Sequence, residues 1–183
     1  MHVPPELDAA FRTAALAEGL VDVRHDVFDS PVGQLQLAWS ERGLCRISYR
    51  EDGFEDELAR AFGVRVLRAP LDDARRELDE YFDGRRTSFD LPLDLRVAPF
   101  HEAVLHELAA VPYGRTETYG ALARRVGRPG AARAVGTVMN RNPIPIVLPC
   151  HRIVGANGSL TGYAGGLEVK RRLLALEGAT LTE

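Results

Sequence analysis

Lysine is almost missing from this chain: Lys170 is the only one in 183 residues, and arginine carries the rest of the positive charge. Cysteine is nearly as scarce. Two of them, Cys45 and Cys150, cannot make a disulfide framework, so a reducing compartment and a cytoplasmic location are expected. No run of about 18 apolar residues occurs, which excludes a membrane-spanning helix. The start, Met1-His2-Val3-Pro4-Pro5-Glu6, lacks the basic-then-apolar order of a secretory signal. What is present is an apolar fraction of 45%, suited to a packed core, in a length that allows one large domain or two small ones.

Net charge is −3, which at first sight argues against a nucleic-acid partner, but the charge is unevenly placed. Residues 1–97 hold 13 Arg against 20 Asp and Glu, a net −7; residues 98–183 hold 10 Arg and Lys against 6 Glu, a net +4. Such asymmetry suggests that the second half meets an anion and the first half is scaffold.

Residues 5–19 have the spacing of a short amphipathic helix, a loosely attached extension. Val21–Phe28, Gln34–Trp39 and Leu44–Tyr49 alternate as strands between turns, which predicts a three-stranded antiparallel meander. Helices are predicted over Phe54–Phe62 and Leu71–Phe82, with a short strand at Val64–Leu67 between them. Leu91-Pro92-Leu93-Asp94-Leu95 has the alternation and proline of an edge strand or linker, and a boundary is placed there. The expected organisation is an extension (1–20), an α/β domain (21–95) and a mostly helical domain (98–183), an α/β (α+β) class overall.

Beyond Pro99 the pattern turns helical. His101 and His106 in the helix Phe100–Ala110 lie at i and i+5, about 140° apart, and so cannot share a zinc as an i, i+4 pair would. No metal and no cofactor are expected. Thr118 is a good N-cap for Tyr119–Val126. Gly127-Arg128-Pro129-Gly130 then turns the chain into Ala131–Asn140, a helix-turn-helix pattern. Its second helix is rich in small residues, and Arg124, Arg125, Arg128, Arg133 and Arg141 flank it. An ordinary core hairpin and a phosphate-contacting unit both fit.

The chain's densest chemistry is Ile146-Val147-Leu148-Pro149-Cys150-His151-Arg152-Ile153-Val154. The apolar run reads as a short buried strand delivering Cys150, with Pro149 forcing the backbone out of the sheet or to its edge. A lone cysteine so placed is either a small buried hydrophobe or a nucleophile. In an extended segment His151 would point away from Cys150, so activation would need a bridging water or a backbone bend. A glycine-rich loop follows, containing Tyr163, and then a helix over Leu167–Glu177. Glu177 is a solvated charge or a partner that orients His151.

Pro149-Cys150-His151-Arg152, Gly162-Tyr163-Ala164-Gly165-Gly166 and Leu173-Leu174-Ala175-Leu176-Glu177-Gly178 together resemble the O6-alkylguanine-DNA alkyltransferases. Ala132-Arg133-Ala134-Val135-Gly136, Asn142-Pro143, Pro112-Tyr113-Gly114 and Thr118-Tyr119 fit the same family. The likeness is dense from about Phe100 to Gly178 and fainter over 22–97. It implies a ribonuclease H-like first domain and a winged-helix-like helix-turn-helix in the second, bound in the DNA minor groove. It also implies irreversible, single-turnover transfer of an alkyl group from a flipped O6-alkylguanine to Cys150, with O4-alkylthymine a second candidate substrate.

By the same resemblance His151 acts through a water, Glu177 orients His151, and Asn142 steadies the turn presenting Cys150. Tyr119 holds the guanine and protonates it, and Arg133 fills the vacated stack. Pro145, Ile153, Tyr163, Ala164 and Gly165 line the base pocket. Thr118, Ala131, Ala132, Gly136 and Arg141 join Tyr119 and Arg133 against DNA. The implied partner is double-stranded DNA carrying the lesion, met by a monomer with no obligate protein partner and no membrane. Some members hold a structural zinc in the first domain; Ser40 and Cys45 stand where ligands would be, and no zinc is expected. Many members have glutamine and tryptophan where this chain has His101 and Leu105. The competing readings are a helix-turn-helix regulator, a lesion-binding protein with an inert Cys150, and, more weakly, a cysteine hydrolase.

Overall fold

The computed structural model describes residues 4–63 and 65–179. Residues 1–3, Val64 at the expected start of the short strand, and residues 180–183 lie outside the described residues. The first half carries α1 (Pro5–Ala17), then β1 (Val23–Ser30), β2 (Gly33–Ser40) and β3 (Gly43–Ser48). Two-residue connections, Pro31-Val32 and Glu41-Arg42, set the antiparallel register, with Val23 opposite Ser40 and Ser40 opposite Gly43. The meander is as expected from alternation, but the sheet has a fourth strand. After α2 (Phe54–Phe62), β4 (Val66–Arg68) lies parallel to β1, giving the order β3-β2-β1-β4. The sheet is therefore mixed rather than purely antiparallel. Three residues at an edge are too few to show a period, which is why this pairing was not readable.

Both faces of the sheet are covered. Val23, Ala38 and Cys45 pack under Phe54 and Leu58 of α2, while Leu35, Leu37 and Leu44 face the main core beside α3 (Asp72–Phe82). Packing on both sides explains why four consecutive residues of β2, Leu35 to Ala38, are buried. On α1, Leu7 and Phe11 are exposed while Ala15 is buried, and Arg12 donates to Arg68 O of β4.

Residues 92–95 run along the free edge of β3. The Leu44 N–H donates to Pro92 O at 2.8 Å and the Asp94 N–H donates to Leu44 O at 3.0 Å. The second half follows with α4 (Pro99–Ala109), β5 (Glu117–Thr118), α5 (Tyr119–Arg125), α6 (Ala132–Asn140), β6 (Ile153–Val154) and α7 (Gly166–Leu176). The main core runs without a break from Leu37, Leu78 and Tyr81 to Leu105, Leu122, Val138, Ile146 and Leu173. Apolar packing is thus continuous across the 92–98 boundary, and side chains of the first half can reach chemistry in the second. His106, on α4, is exposed and lies 3.9 Å from Glu107.

Gly43 is the point at which residues 92–95 dock. Its φ is +138°, and a Cβ there would sit 2.2 Å from Pro92 O, a backbone atom that cannot swing aside. Gly43→Ala should destabilise the fold by at least about 2 kcal/mol, through strain and a lost edge contact. Urea denaturation measures it; a loss below about 0.5 kcal/mol would mean that the 92–95 segment is not held there.

Candidate active site

The strand expected to deliver Cys150 does not form. Pro143, Pro145 and Pro149 have no N–H to give a ladder, and the chain instead coils through a turn in which Ile146 takes φ 76°. A β-branched residue in that region is strained by about 1–3 kcal/mol and must be held by its surroundings. Asn142 supplies the hold. Its Nδ2 donates to Leu148 O at 2.8 Å, and its Oδ1 accepts the Ile144 N–H at 3.1 Å. Cys150–Arg152 then form one turn of 3-10 helix before β6. This is the bend that an adjacent Cys-His pair needs: side chains in such a turn fan out about 120° apart rather than alternating across a strand.

His151 and Arg152 both reach the carboxylate of Glu177, just past the end of α7. His151 Nε2 lies 2.8 Å from Glu177 Oε1. Arg152 donates through Nε to Oε2 at 2.8 Å and through Nη2 to Oε1 at 2.9 Å, and its Nη1 donates to Val111 O. Tyr81 of α3 donates its hydroxyl to Oε1 at 2.7 Å, and the Gly114 N–H donates to Oε2 at 3.2 Å. Burial alone would raise the Glu177 pKa, but the His151 and Arg152 hydrogen bonds outweigh it and hold the carboxyl at about 2. An ionised carboxylate only accepts, so His151 Nε2 must carry the proton. Burial lowers the His151 pKa, and the charges of Arg152 and Lys170 press the same way against Glu177. The ring is therefore neutral at pH 7, with its lone pair on Nδ1. That atom is buried and has no hydrogen-bond partner among the described residues.

Cys150 is 4% exposed, and burial pushes its thiol up to about 11, opposed by the Asn142 side chain and the Lys170 charge. Lys170 is fully buried on α7 and meets no carboxylate among the described residues. Its Nζ donates to Ile153 O at 2.5 Å and to Thr161 O at 3.1 Å, and burial brings it down to about 8 while a Cys150 thiolate would raise it. The ammonium thus ties the end of the acceptor turn to the glycine loop. Thr161 in turn bonds the Tyr119 hydroxyl at 2.8 Å. Parallel pairing of β5 with β6, Glu117 beside Ile153 and Thr118 beside Val154, sets Tyr119 next to the acceptor segment. Thr118 caps α5 as expected, accepting the Ala121 N–H at 3.2 Å.

Four of the seven residues expected against DNA, Tyr119, Ala132, Arg133 and Gly136, meet at one open cleft. The cleft, of about 350 Å³, is lined by Tyr119, Ala132, Arg133, Gly136, Asn140, Thr161 and Gly162. Arg133 is exposed there, Arg141 is exposed just past the end of α6, neither has an ion pair among the described residues, and Ala131 precedes α6 at its half-exposed start. Two of the flanking arginines are otherwise engaged. Arg125 pairs with Glu107 and Glu117, each at 2.8 Å, and Arg128 lies 5.1 Å over the Phe100 ring. A second cleft, of about 230 Å³, is lined by Pro145, Ala164, Asn142 and Arg141 together with Tyr49 of the first half. Tyr163 bonds the Tyr49 hydroxyl and turns its ring edge-on to His151 at 6.4 Å.

Sequence reasoning missed Arg152, Tyr81, Tyr49 and Lys170 as parts of the site. For Lys170 a signal existed: Lys170, Leu173, Leu174 and Glu177 stand at i, i+3, i+4 and i+7, so both charges occupy the apolar face of α7. Ser40 and Cys45 are engaged elsewhere: Ser40 donates to Asp94 at 2.8 Å, and Cys45 lies buried beneath α2 with its thiol pushed up to about 12 by burial.

Two family profiles match the chain. One, described as 6-O-methylguanine DNA methyltransferase, ribonuclease-like domain, covers residues 23–95; the other, the DNA binding domain of the same family, covers 99–179. The methylated-DNA–protein-cysteine methyltransferase of Methanosarcina acetivorans is 43% identical over 84% of this chain and 97% of its own. The crystal structure of the Mycobacterium tuberculosis O6-methylguanine methyltransferase is 42% identical, covers 85% of this chain and 93% of that one, and superposes with a TM-score of 0.77. A crystal structure of Mycobacterium tuberculosis OGT in complex with DNA gives 41% and 0.76, covering 85% and 92%. The chain belongs to the 6-O-methylguanine DNA methyltransferase family. Its first half is the family's ribonuclease-like domain and its second half the family's DNA-binding domain.

The Glu177 cluster yields a stability test. Glu177→Gln keeps the volume but leaves Arg152 as a buried, half-paired charge, which should cost about 3–5 kcal/mol at pH 7. Because the folded pKa is depressed, the contribution is full above the unfolded value of about 4.3 and disappears as pH falls toward about 2. Urea melts of wild type and variant should therefore converge between pH 4 and pH 2 (roughly the window those two values bracket); a constant gap across it would show that the charge is not what matters.

Proposed function

We propose that this chain repairs O6-alkylguanine in duplex DNA by taking the alkyl group onto Cys150, once per molecule. The observation that carries the reading is the His151 Nδ1 lone pair, buried in the turn that also presents Cys150 and turned into a base by the Glu177 pairing on its other nitrogen. With a thiol at about 11, roughly one Cys150 in 10⁴ is ionised at pH 7, so a nearby base must take the proton as the bond forms. A water between Nδ1 and the sulfur completes that path. The Cys150 sulfur attacks the alkyl carbon as the bond from that carbon to O6 breaks, and the electron pair passes into the purine. Tyr119, steadied by Thr161, gives the base a proton and regains one from solvent, while the proton taken up by His151 returns to solvent, so that in net the thiol proton leaves on guanine. A thioether is no leaving group for water, and the protein is consumed.

The lesion must leave the stack to reach a buried sulfur. The open face of α6 fits a DNA backbone: Ala132 and Gly136 allow close approach, and Arg133 in the cleft and Arg141 just past the helix offer exposed positive charge. The chemistry described draws on residues of a single chain, and the reading requires no second copy. Two unpaired buried cysteines suit the cytoplasm. No helix of the described residues is long and apolar enough to cross a membrane.

The decisive experiment is incubation with duplex DNA carrying labelled O6-methylguanine. One equivalent of label should become fixed on Cys150, with none on Cys150→Ser and a normal amount on Cys45→Ser. Sustained turnover, or label on Cys45, contradicts the reading. A regulator or a lesion-binding protein would bind the duplex and stay unlabelled.

Arg133 supplies a second test. Extruding a base costs a few kcal/mol, and a side chain filling the gap offsets part of that. Arg133→Ala should slow transfer from duplex DNA about 10-fold or more while reacting almost normally with free O6-alkylguanine base. Equal losses on both substrates would return Arg133 to a packing role; a loss that vanishes at low salt would make it a phosphate contact.

A further inference from the structure

Besides Tyr81, a second set of contacts reaches the acceptor site from the ribonuclease-like half. The last turn of β3 is stitched to the acceptor segment by backbone: the Ile47 N–H donates to Pro143 O at 2.9 Å. Two residues later the Tyr49 hydroxyl meets the Tyr163 hydroxyl at 2.8 Å, the rings lying edge to face with centroids 5.8 Å apart. The Tyr49 ring also lies so close to the glycine loop that a Cβ on Gly165 would stand 3.0 Å from it. On its other side the same ring lines the cleft shared with Pro145, Asn142 and Ala164. Tyr163 carries this contact onward to His151 through its ring.

We propose that Tyr49 is a positioning residue of the alkyl-acceptor site, which fixes Tyr163 and the 162–166 loop and thereby sets the size of alkyl group the site admits. The inference rests on the alkyl-transfer reading above. Residues 162–166 include Gly162, Gly165 and Gly166, and glycines leave a loop little of its own to hold a shape. The bracing comes from outside, and Tyr49 is the side chain placed to give it. Hydrogen counting adds a consequence. Two phenols carry two protons, and only one lies between the oxygens; the other remains for a third acceptor. Burial keeps both phenols protonated, and a thiolate at Cys150 would press both the same way. Tyr49 therefore decides whether the Tyr163 proton is spent on the pair or turned toward the site.

The test compares single-turnover transfer from two duplexes, one carrying O6-methylguanine and one O6-benzylguanine. Tyr49→Phe keeps the ring and fold but removes the hydroxyl, and should slow methyl transfer about 5-fold. In a Tyr163→Phe background it should cost nothing further, because the two act as a unit. Tyr49→Leu, which frees the Tyr163 ring and opens the wall, should raise the benzyl-to-methyl rate ratio about 5-fold or more. It should also restore most of the activity lost in Gly165→Ala, whose added carbon would no longer meet the Tyr49 ring. Additive losses for the two Phe variants together with an unchanged ratio overturn the inference and leave Tyr49 as interdomain packing. If Tyr49→Leu does not fold, the Tyr49→Phe cycle decides alone. Should wild type transfer neither group, the alkyl-transfer reading fails and this inference falls with it.

Discussion

The structure depends on one buried carboxylate. Taking Glu177 out of water would cost several kcal/mol if it were left unpaired. It is tolerated because Arg152, His151, Tyr81 and the Gly114 N–H all converge on its two oxygens. Those donors come from the acceptor turn, from α3 of the other half and from the loop after α4. The same charge that keeps the proton on His151 Nε2 thus fastens the separate pieces of the site together. A site assembled in this way cannot be loosened at one donor without exposing the rest to an under-satisfied charge.

Arg152 has a second consequence. A histidine facing a lone carboxylate would be drawn toward the imidazolium form and lose its usefulness as a base. Here the guanidinium takes the carboxylate side-on with two hydrogen bonds and supplies the positive charge. His151 is left to donate one N–H and stay neutral, its pKa lowered by burial with Arg152 and Lys170 pressing the same way. The division of labour is electrostatic: Arg152 balances the charge, and His151 keeps the lone pair. Pro149-Cys150-His151-Arg152 is a unit because a single 3-10 turn sends His151 and Arg152 to the same carboxylate and Cys150 elsewhere.

Much of this was legible in the chain, for identifiable reasons. The α2 helix, the capped α5 and the three-stranded meander follow from periodicity and turn residues, since local signals of that length survive tertiary packing. The pairing of β4, only three residues long, and of β5 with β6, two residues each, carries no period to read. The acceptor segment misled for a different reason. Ile146-Val147-Leu148 has the composition of a strand, yet three prolines and the Asn142 brace dictate a turn, and in such a case missing donors outweigh apolar content. Partners across the two halves were not readable at all. Tyr81 lies 96 residues from Glu177 and Tyr49 lies 114 from Tyr163, and nothing local in either stretch names its counterpart.

On the alkyl-transfer reading, the two cysteines show what sets an acceptor apart from another buried thiol. Both are nearly inaccessible, and burial raises both pKa values, Cys45 to about 12 and Cys150 to about 11. A low pKa therefore does not distinguish them. What differs is the surroundings. Cys45 lies between sheet and α2 near Asp94, whose charge opposes ionisation further. Cys150 sits in a turn rather than a ladder, and its thiolate is favoured by Asn142 and by a lysine that meets no carboxylate among the described residues. The scarce side chains follow the same line. The only lysine and all five tyrosines, Tyr49, Tyr81, Tyr113, Tyr119 and Tyr163, lie around this turn or in hydrogen bonds leading to it. A thiol kept mostly protonated until a base and a substrate are both in place is protected from casual oxidants and alkylators. For a protein that reacts once, reactivity held back in this way matters more than a permanently formed thiolate.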